Sequence, residues 1–402
     1  METYAIDLYA NFKCIEADCP QSCCVGWDIV IDDATLKTYS DKKDTLGLIC
    51  RSLSQKKENY TCVRTISGRC PHYGFDHLCR LQKKSFDNLM PQVCKDYPRR
   101  VLQFGNRREL TLELSCYEAA FLFVYKPQIH EFIILSDNTP VFWELANDDA
   151  NFFNFLLNDR EMIIDRIKEW SKDLSAPGFT LMEKSILQHA YQIHSKLVKG
   201  IVPDNSTMNN ISLNNVSDNV ATGNIADNDI TFSDNIFASL FSQNYCPFPI
   251  SFLNELIYDR FLDRQRQNHN KNLYKYASHY EKQFSKLYEV EADSVFSQKM
   301  DALLEERPDL LNIFTSYFAY LLLQTYPQAY ENYYLLGPVL LALYSTEFFM
   351  LFTLTEHLSG NPLKASDLAI ILASLERGLR HSSDLNIELL DNMRRLINPV
   401  GQ

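Results

Sequence analysis

The sequence predicts a mainly α-helical protein, in which a cysteine-rich N-terminal module with a short β-hairpin precedes an antiparallel helical domain. Two observations support this prediction. Ten of the eleven cysteines lie in the first 125 residues, among short segments rich in turns. Beyond them, apolar residues recur at spacings of three and four, the period of an amphipathic helix. We therefore expect the module at residues 1–125 and the helical domain at residues 126–402.

Composition is that of an ordinary soluble globular protein, with 46% hydrophobic and 22% charged residues. The segment Met1–Lys13 has neither a basic start nor an apolar run, so we expect no secretory signal and a cytoplasmic protein. Cysteines in a reducing compartment are reduced thiols or metal ligands and not a disulfide framework.

Charge is unevenly distributed along the chain. The net charge of −12 argues against general nucleic-acid binding. Residues 42–115, however, carry fifteen Lys and Arg against seven Asp and Glu. This local excess of positive charge has two interpretations: a surface that attracts an anionic cofactor or an acidic protein, or a solvated face that keeps the module soluble.

The module opens with four thiols within eleven residues, in the stretch Cys14–Asp32 (CIEADCPQSCCVGWDIVID). Thiolates this close repel one another unless they oxidise or a metal neutralises them, and we expect a metal. Adjacent residues such as Cys23 and Cys24 share a metal only in a tight turn, so one of them can serve a second site or none.

Further thiols follow, and they bring the candidate ligands to eight, in two sequence groups. His72 and His77 flank the second group and are possible replacements for a thiol. Spacing alone leaves zinc and iron–sulfur open, because thiolate ligation suits both. Cys50, Cys62 and Cys246 are predicted to be packing residues. The two groups are Cys14, Cys19, Cys23 and Cys24, then Cys70, Cys79, Cys94 and Cys116.

Local patterns predict several elements of the module. Polar and apolar residues alternate near the end of residues 27–32, which indicates a strand or an extended segment. Residues 100–115 indicate a hairpin that turns at Gly105-Asn106. Ser115 and Glu118 fit a capping box that opens a helix over residues 117–124 and places Cys116 at its N-terminus, where a thiolate is favoured.

Beyond Lys126, apolar residues recur at helical spacing. Helices are predicted around residues 152–167, 186–197, 250–261, 309–326 and 333–358. The most apolar window, Leu335–Leu354, predicts a buried helix with no membrane insertion, a membrane contact being the alternative. Residues 204–235 contain nine Asn and five Asp and no Lys or Arg, which predicts a flexible insertion.

Several nucleotide and hydrolase motifs are absent from the sequence. No two of the twelve glycines lie within four residues of each other, which excludes G-x-G-x-x-G and P-loop motifs. There is also no H-E-x-x-H and no G-x-S-x-G.

The cysteine motifs resemble those of the flagellin lysine-N-methylases, the FliB family. The resemblance rests on FKCIEADCPQSCCVGWDIVID, on VCKDYPRR with the thiols before it, and on LSCYEA. The same arrangement is similar to a wider clustered-cysteine group of zinc- or iron-chelating proteins. The specific motifs lie within the first 120 residues.

The resemblance implies transfer of a methyl group from S-adenosylmethionine to lysines of flagellin, in the cytoplasm, with an iron–sulfur (4Fe–4S) cluster held by a subset of the eight cysteines. The sequence lacks the C-x3-C-x2-C loop of radical S-adenosylmethionine enzymes, because Gly26 occupies the third position.

Methyl transfer needs a neutral lysine amine and a group that accepts a proton. Near the thiols, Asp96 and Tyr97 are the candidate proton acceptors, and Arg99 and Arg100 are candidates to bind the cofactor carboxylate. The alternative for these four residues is a structural turn. Two other function classes stay open: a non-catalytic zinc- or iron-binding scaffold and an electron-transfer protein.

Overall fold

The computed structural model describes residues 2–57, 59–83, 87–104, 107–135, 150–172, 174–198, 257, 262, 270–284 and 289–380. Within these residues the chain is mainly α-helical with a small sheet, which confirms the predicted mainly α-helical class, and the metal-binding module stays a prediction. Four sequence-based predictions lie outside them: the insertion at 204–235, the Gly105-Asn106 turn, Cys246, and, apart from residue 257, the helix at 250–261.

The bounds of the helices and strands are as follows. The strands are β1 (Glu2–Ile6), β2 (Ser54–Lys56), β3 (Thr61–Val63), β4 (Arg99–Phe104), β5 (Arg107–Leu112) and β6 (Phe132–Leu135). The helices before the insertion are α1 (Asp7–Asn11), α2 (Asp33–Asp41), α3 (Thr45–Ser52), α4 (Arg80–Lys83), α5 (Gln92–Asp96), α6 (Tyr117–Tyr125), α7 (Ala150–Ser171) and α8 (Ala176–Val198). Those after it are α9 (Lys271–Phe284), α10 (Glu289–Glu306), α11 (Asp309–Thr325), α12 (Ala329–Asn332), α13 (Leu336–Leu358) and α14 (Ala365–Arg380).

A four-stranded sheet with the order β4-β5-β1-β6 contains the predicted hairpin. Strands β4 and β5 pair antiparallel, with Phe104 opposite Arg107. Strand β1 joins β5 in parallel, and β6 pairs antiparallel with β1. Because β5 is a central strand, its residues are buried on both faces, and Glu109 and Leu112 are both fully buried.

Polar side chains of the helices bind the buried strand β5. The hydroxyl of Tyr320 accepts from the N–H of Leu112 at 3.0 Å and donates to its carbonyl oxygen at 2.7 Å. Arg160 of α7 forms a bidentate ion pair with Glu109, with N–O distances of 2.7 and 2.8 Å. These bonds satisfy polar groups that burial would otherwise leave without partners.

The cysteine-rich segment forms a small core of its own. Residues of this core, such as Ile29, Tyr39 and Leu89, come from positions 29–94, whereas residues 6–12 and 112–124 pack into the large core with the helices. The predicted extended segment around Ile29 hydrogen-bonds to β3, with Val63 N–H donating to its carbonyl at 2.9 Å. The predicted boundary near residue 125 stays a prediction.

The large core is organised around α13. Among the described residues, α13 is the one helix long and apolar enough to cross a membrane, and 89% of its apolar window is buried inside the protein. The protein itself therefore covers this helix, as predicted for a core helix. Helix α14 packs against both α13 and α6, and so connects the C-terminal helices to the region of Cys116.

The predicted capping box is wrong by one residue. Helix α6 begins at Tyr117, as predicted, but its N-cap is Cys116, and this side chain makes no capping hydrogen bond. Ser115 is not at the cap because its hydroxyl bonds the hydroxyl of Tyr97 at 3.0 Å, and its carbonyl oxygen accepts from Arg377. Tertiary contacts thus replace the local bond that the motif predicts.

Candidate metal centre and adjoining groove

Thiols from distant parts of the sequence line one small cavity in the module. About 50 Å³ of free space lies between aromatic and apolar side chains, including Trp27, Met90 and Tyr97. His72, a predicted alternative ligand, also borders it. The cysteines around this space, which we call the thiol cavity, are Cys23, Cys24, Cys70, Cys79 and Cys94.

Backbone pairing brings the opening cysteine loop against the loop that precedes Cys70. Cys70 N–H donates to the carbonyl oxygen of Cys24 at 2.8 Å, and Gly26 N–H donates to that of Gly68 at 3.1 Å. Gly26 and Gly68 have φ values of 90° and 74°, which a residue with a side chain rarely adopts. Two glycines therefore permit the tight turns that juxtapose the thiols.

A second set of thiols lies on the other side of Cys23. The Cys116 thiol interacts electrostatically with Cys19 and Cys23, and Cys19 also interacts with Cys14. The Cys19 thiol donates to the carbonyl oxygen of Gln21 at 3.1 Å. The structure thus mixes the two sequence groups: Cys24 lies with the later thiols, and Cys116 lies with the early ones.

Mutual contact and burial raise the pKa of three of the cavity thiols, Cys23, Cys24 and Cys94, and keep them protonated. A hydrogen bond with Cys24, followed by burial, raises the pKa of Cys23. The Cys23 bond lowers the pKa of Cys24, but the contact with Cys70 and burial outweigh it and raise that pKa to about 12. Burial raises the pKa of Cys94 to about 12. A bound cation would reverse this preference, because metal binding releases thiol protons.

The prediction that the helix N-terminus favours a Cys116 thiolate is wrong for the protein without a cation. Burial raises the pKa of this thiol to about 12, although the N–H groups of Glu118 and Ala119 act in the opposite direction. Loss of water around the thiol therefore outweighs the electrostatic effect of the helix end.

The two predicted histidine ligands lie in different surroundings. His72 is buried beside the thiol cavity, and burial, followed by the nearby charge of Arg80, lowers its pKa, which favours the neutral form that binds metals. His77 is exposed, at a φ of 63°, and lines a different cavity.

Of the four residues predicted to act in methyl transfer, Tyr97 borders the thiol cavity. The side chains of the other three contact residues outside that cavity. Burial raises the pKa of Tyr97, so its hydroxyl stays protonated. Asp96 accepts from the side-chain amide of Gln92 at 2.9 Å. Arg99 lies over the rings of Tyr9 and Phe12, and Arg100 pairs with Glu113 at 3.3 Å. Their proposed roles stay predictions.

Cys50 and Cys62 are fully buried and do not border the thiol cavity, as expected of packing residues. In the part of the chain that the structure describes, no three His, Cys, Asp or Glu side chains already converge as a metal site. The donor set nevertheless fits a soft metal, because several thiols and a neutral imidazole face one space. Ligation would require these side chains to turn toward a common point.

A groove of about 1,020 Å³ runs between the module and helices α9 and α14. Cys19 and Cys70 form part of its wall, so the groove borders both sets of thiols. Asp18, His77 and Lys271 are among the charged or titratable residues that line it. A ligand in this groove would lie directly beside a group held by the thiols.

Arg377, which no sequence pattern predicted, lies on α14 at the junction of the groove and the module. Its guanidinium donates to the carbonyl oxygens of Ser22, Val25 and Ser115 at 3.2, 3.3 and 3.0 Å. Burial raises the pKa of Cys19, and the charge of Arg377 partly opposes this rise. The sequence gives no local signal for this residue, because its partners are backbone carbonyls more than 250 positions away.

The fold and the site define a mainly α-helical protein with a cysteine-lined centre beside a groove. Flagellar biosynthetic protein FliU of Salmonella muenchen is 30% identical over 115 residues, which is 27% of this chain and 68% of FliU. Lysine-N-methylases of Salmonella choleraesuis (strain SC-B67) and Salmonella typhimurium (strain LT2) are each 31% identical over 118 residues, which is 27% of this chain. The aligned region spans only 29% of each of these two methylases. No family model and no solved structure matches the chain. On this similarity the chain belongs to a FliB-like family.

Proposed function

We propose that the protein transfers methyl groups from S-adenosylmethionine to lysine side chains of flagellin in the cytoplasm. The names of the lysine-N-methylase and FliU relatives support the reaction and the flagellar substrate. The structural observation that carries the proposal is the groove: its wall contains Cys19 and Cys70, and its volume is sufficient for a methyl donor and a lysine side chain.

The cysteines around the thiol cavity would hold an iron–sulfur cluster, with zinc as the alternative. Cys24, Cys70, Cys79 and Cys94 are the proposed ligands, because they border one space and come from separate segments. When bound, the cluster supplies iron beside the groove wall, whereas zinc supplies a fixed positive charge. Either would stabilise the module by joining these segments.

The proposed transfer is a polar displacement. The lone pair of the neutral lysine amine forms a bond to the methyl carbon, the carbon–sulfur bond breaks, and its electron pair stays on sulfur. The methylated ammonium then loses a proton to water or to a base in the groove, where Asp18 and His77 are candidates. Tyr97 is a poor base because burial keeps it protonated. Gly26, whose φ of 90° disfavours a cysteine, argues against a radical loop.

A non-catalytic metal-binding scaffold is the second candidate function. One observation favours it: in the described part of the chain, no set of three potential ligands is preassembled, and the thiol cavity has only about 50 Å³ of free space. A centre of this kind could stabilise the module without taking part in a reaction.

One experiment separates the two functions. Protein purified without oxygen would be mixed with flagellin from the same bacterium and S-adenosylmethionine labelled in its methyl group, and label on lysine would be measured by mass spectrometry. The absorbance spectrum of the same sample identifies an iron–sulfur cluster by a broad band that zinc lacks. A folded, metal-containing sample that never labels lysine would favour the scaffold.

A further inference from the structure

The groove beside the thiols has an excess of positive charge. Arg69, Lys271 and Arg377 line it, against the single carboxylate of Asp18. Arg69 and Lys271 are exposed, and neither forms an ion pair within the described ranges. The three hydrogen bonds of Arg377 go to carbonyl oxygens, and no carboxylate in the described part of the chain pairs with it. The unneutralised cations favour an anionic ligand.

The shape of the groove favours a long ligand. A second cavity of about 320 Å³ shares Pro20, Gln21 and Asn272 with the groove, so the two spaces adjoin. A pocket for one small ligand usually occupies about 300–1,000 Å³. The joined space exceeds this range and extends along α9, as an extended chain would require. Its smaller part contains Glu356 and Asp367 against Lys275, so the excess of positive charge lies in the groove itself.

Gln21 contributes an unsatisfied hydrogen-bond acceptor to this space. Its side-chain nitrogen donates to the hydroxyl of Ser374 at 2.7 Å and to the carbonyl oxygen of Ile370 at 3.5 Å, and the carbonyl, which only accepts, fixes the direction of the amide. Its side-chain oxygen is buried and has no hydrogen-bond partner among the described residues. Buried acceptors are normally bonded, and an N–H of a peptide backbone in the groove would reach this one only if the amide turned toward the cavity.

A fully solvent-exposed aromatic side chain also borders the groove. Phe75, in the segment between Cys70 and Cys79, is 100% exposed and lines the larger cavity. Large exposed aromatic residues at a binding cleft commonly anchor a partner chain.

We propose that this groove binds an extended acidic segment of a polypeptide, so that the lysines presented to the thiol centre are flanked by Asp or Glu. The flanking carboxylates would pair with Arg69 and Lys271, and the Phe75 ring would cover the bound chain. Once the flanking acids are paired with Arg69 and Lys271, the charge of Arg377 remains and favours the neutral form of the target amine, which is the form that attacks a methyl group. The proposed binding of an acidic segment rests on the residues and shape of the groove. The proposed methylation of the lysines in that segment rests on the proposed function.

Two fluorescent peptides of equal length test this proposal with the full-length, metal-containing protein. One has a central lysine flanked by Asp and Glu, and the other has the same lysine flanked by Arg. We expect the acidic peptide to bind about tenfold more tightly in fluorescence anisotropy, an effect that salt should reduce. The double variant Arg69→Glu/Lys271→Glu should reverse this preference, and Arg69→Glu alone should weaken it. Lys37→Glu on exposed α2, which changes the charge by the same amount as Arg69→Glu, should preserve it.

Each outcome of the peptide-binding experiment either supports or overturns the proposal that the groove binds acidic segments. Equal affinity for both peptides, or a preference that Lys37→Glu removes as fully as the groove variant does, would overturn the proposal. Stronger binding of single-stranded DNA than of the acidic peptide would also overturn it, since the groove would then be a general polyanion site. Methyl transfer is recorded separately: acidic preference without lysine methylation would retain the groove assignment and reject the proposed function.

Discussion

The guanidinium of Arg377 donates a hydrogen bond to the carbonyl oxygen of Ser22, 3.2 Å away, in the loop between Cys19 and Cys23. The same side chain also bonds Val25 and Ser115. A helix near the end of the described chain thereby holds the loop that opens the cysteine cluster. The arrangement of the thiols therefore depends on α14 as well as on the module.

We expect Arg377→Ala to lower the free energy of unfolding by about 1.5–3 kcal/mol, because a charged donor to three carbonyl oxygens is lost. Metal content per protein should also fall, since the cysteine loop loses its support. Urea unfolding and elemental analysis measure the two effects. The control is Arg64→Ala, which removes an exposed arginine of the module. Unchanged stability and metal content in the Arg377 variant would show that these bonds do not position the loop.

The buried pair of Glu109 and Arg160 gives a second prediction. Arg160→Leu should destabilise the fold by about 3–5 kcal/mol, because the carboxylate of Glu109 stays buried with only Arg107 as an ionic partner. The double variant Glu109→Leu/Arg160→Leu should recover much of this loss, because neither fully buried charge then stays without its partner and Arg107 is partly exposed to water. Thermal unfolding of both single variants and the double variant measures the coupling. Additive losses would contradict the pairing.

Glu183 predicts a pH dependence of stability. Burial raises its pKa well above the ordinary value of 4.5, although the nearby charge of Lys184 acts in the opposite direction. A raised pKa in the folded state stabilises the fold below pH 4.5, and this contribution is lost as pH rises through the folded pKa. Glu183→Gln should therefore match the parent near pH 4 and exceed its melting temperature at about pH 7.

The control for this prediction is Glu281→Gln, which changes an exposed glutamate. It should leave the pH dependence of melting unchanged. A melting temperature of Glu183→Gln that stays below that of the parent at neutral pH would show that ionised Glu183 stabilises the fold.

The helical half of the fold was predictable because its signal is local. The apolar spacing predicted α7, α8, α11 and α13, and the burial of Phe155 and Leu351 agrees with it. The sheet was only partly predictable. The hairpin has a local pattern, but the parallel pairing of Tyr4 with Glu109 joins residues about a hundred positions apart, and no local pattern predicts it. The alternation of polar and apolar residues in the strand also did not predict that Glu109 is buried. Its burial depends on the ion pair with Arg160, which lies on a helix distant in the sequence.

The candidate site was predictable by residue type and not by arrangement. Clustering in the sequence identified the eight thiols. It could not show that Cys24 lies with Cys70 while Cys116 lies with Cys19. The pairing of the glycine turns brings Cys24 to Cys70, and Arg377 bonds both the loop after Cys19 and the residue before Cys116. Arg377 and Gln21 carried no signal, since their partners are distant in the chain.

Replacing single cysteines should separate ligands from packing residues. Cys24→Ser, Cys70→Ser, Cys79→Ser and Cys94→Ser should each release metal and destabilise the module, because metal-binding free energy is folding free energy in such units. Cys62→Ala is the matched control, since this thiol is buried away from the thiol cavity. Cys246 should likewise be dispensable. Full metal retention in all four serine variants would reject the proposed ligands.

Comparing the methylation of flagellin lysines by the intact protein and by its metal-free form tests the proposed function most directly. Flagellin would be incubated with S-adenosylmethionine and each form, and peptides would be analysed by mass spectrometry, with circular dichroism monitoring the helices. We predict methylated lysines with the intact protein and loss of methylation in the metal-free form that retains its helices. Flagellin lysines that stay unmodified with a folded, metal-containing protein would contradict the proposed function.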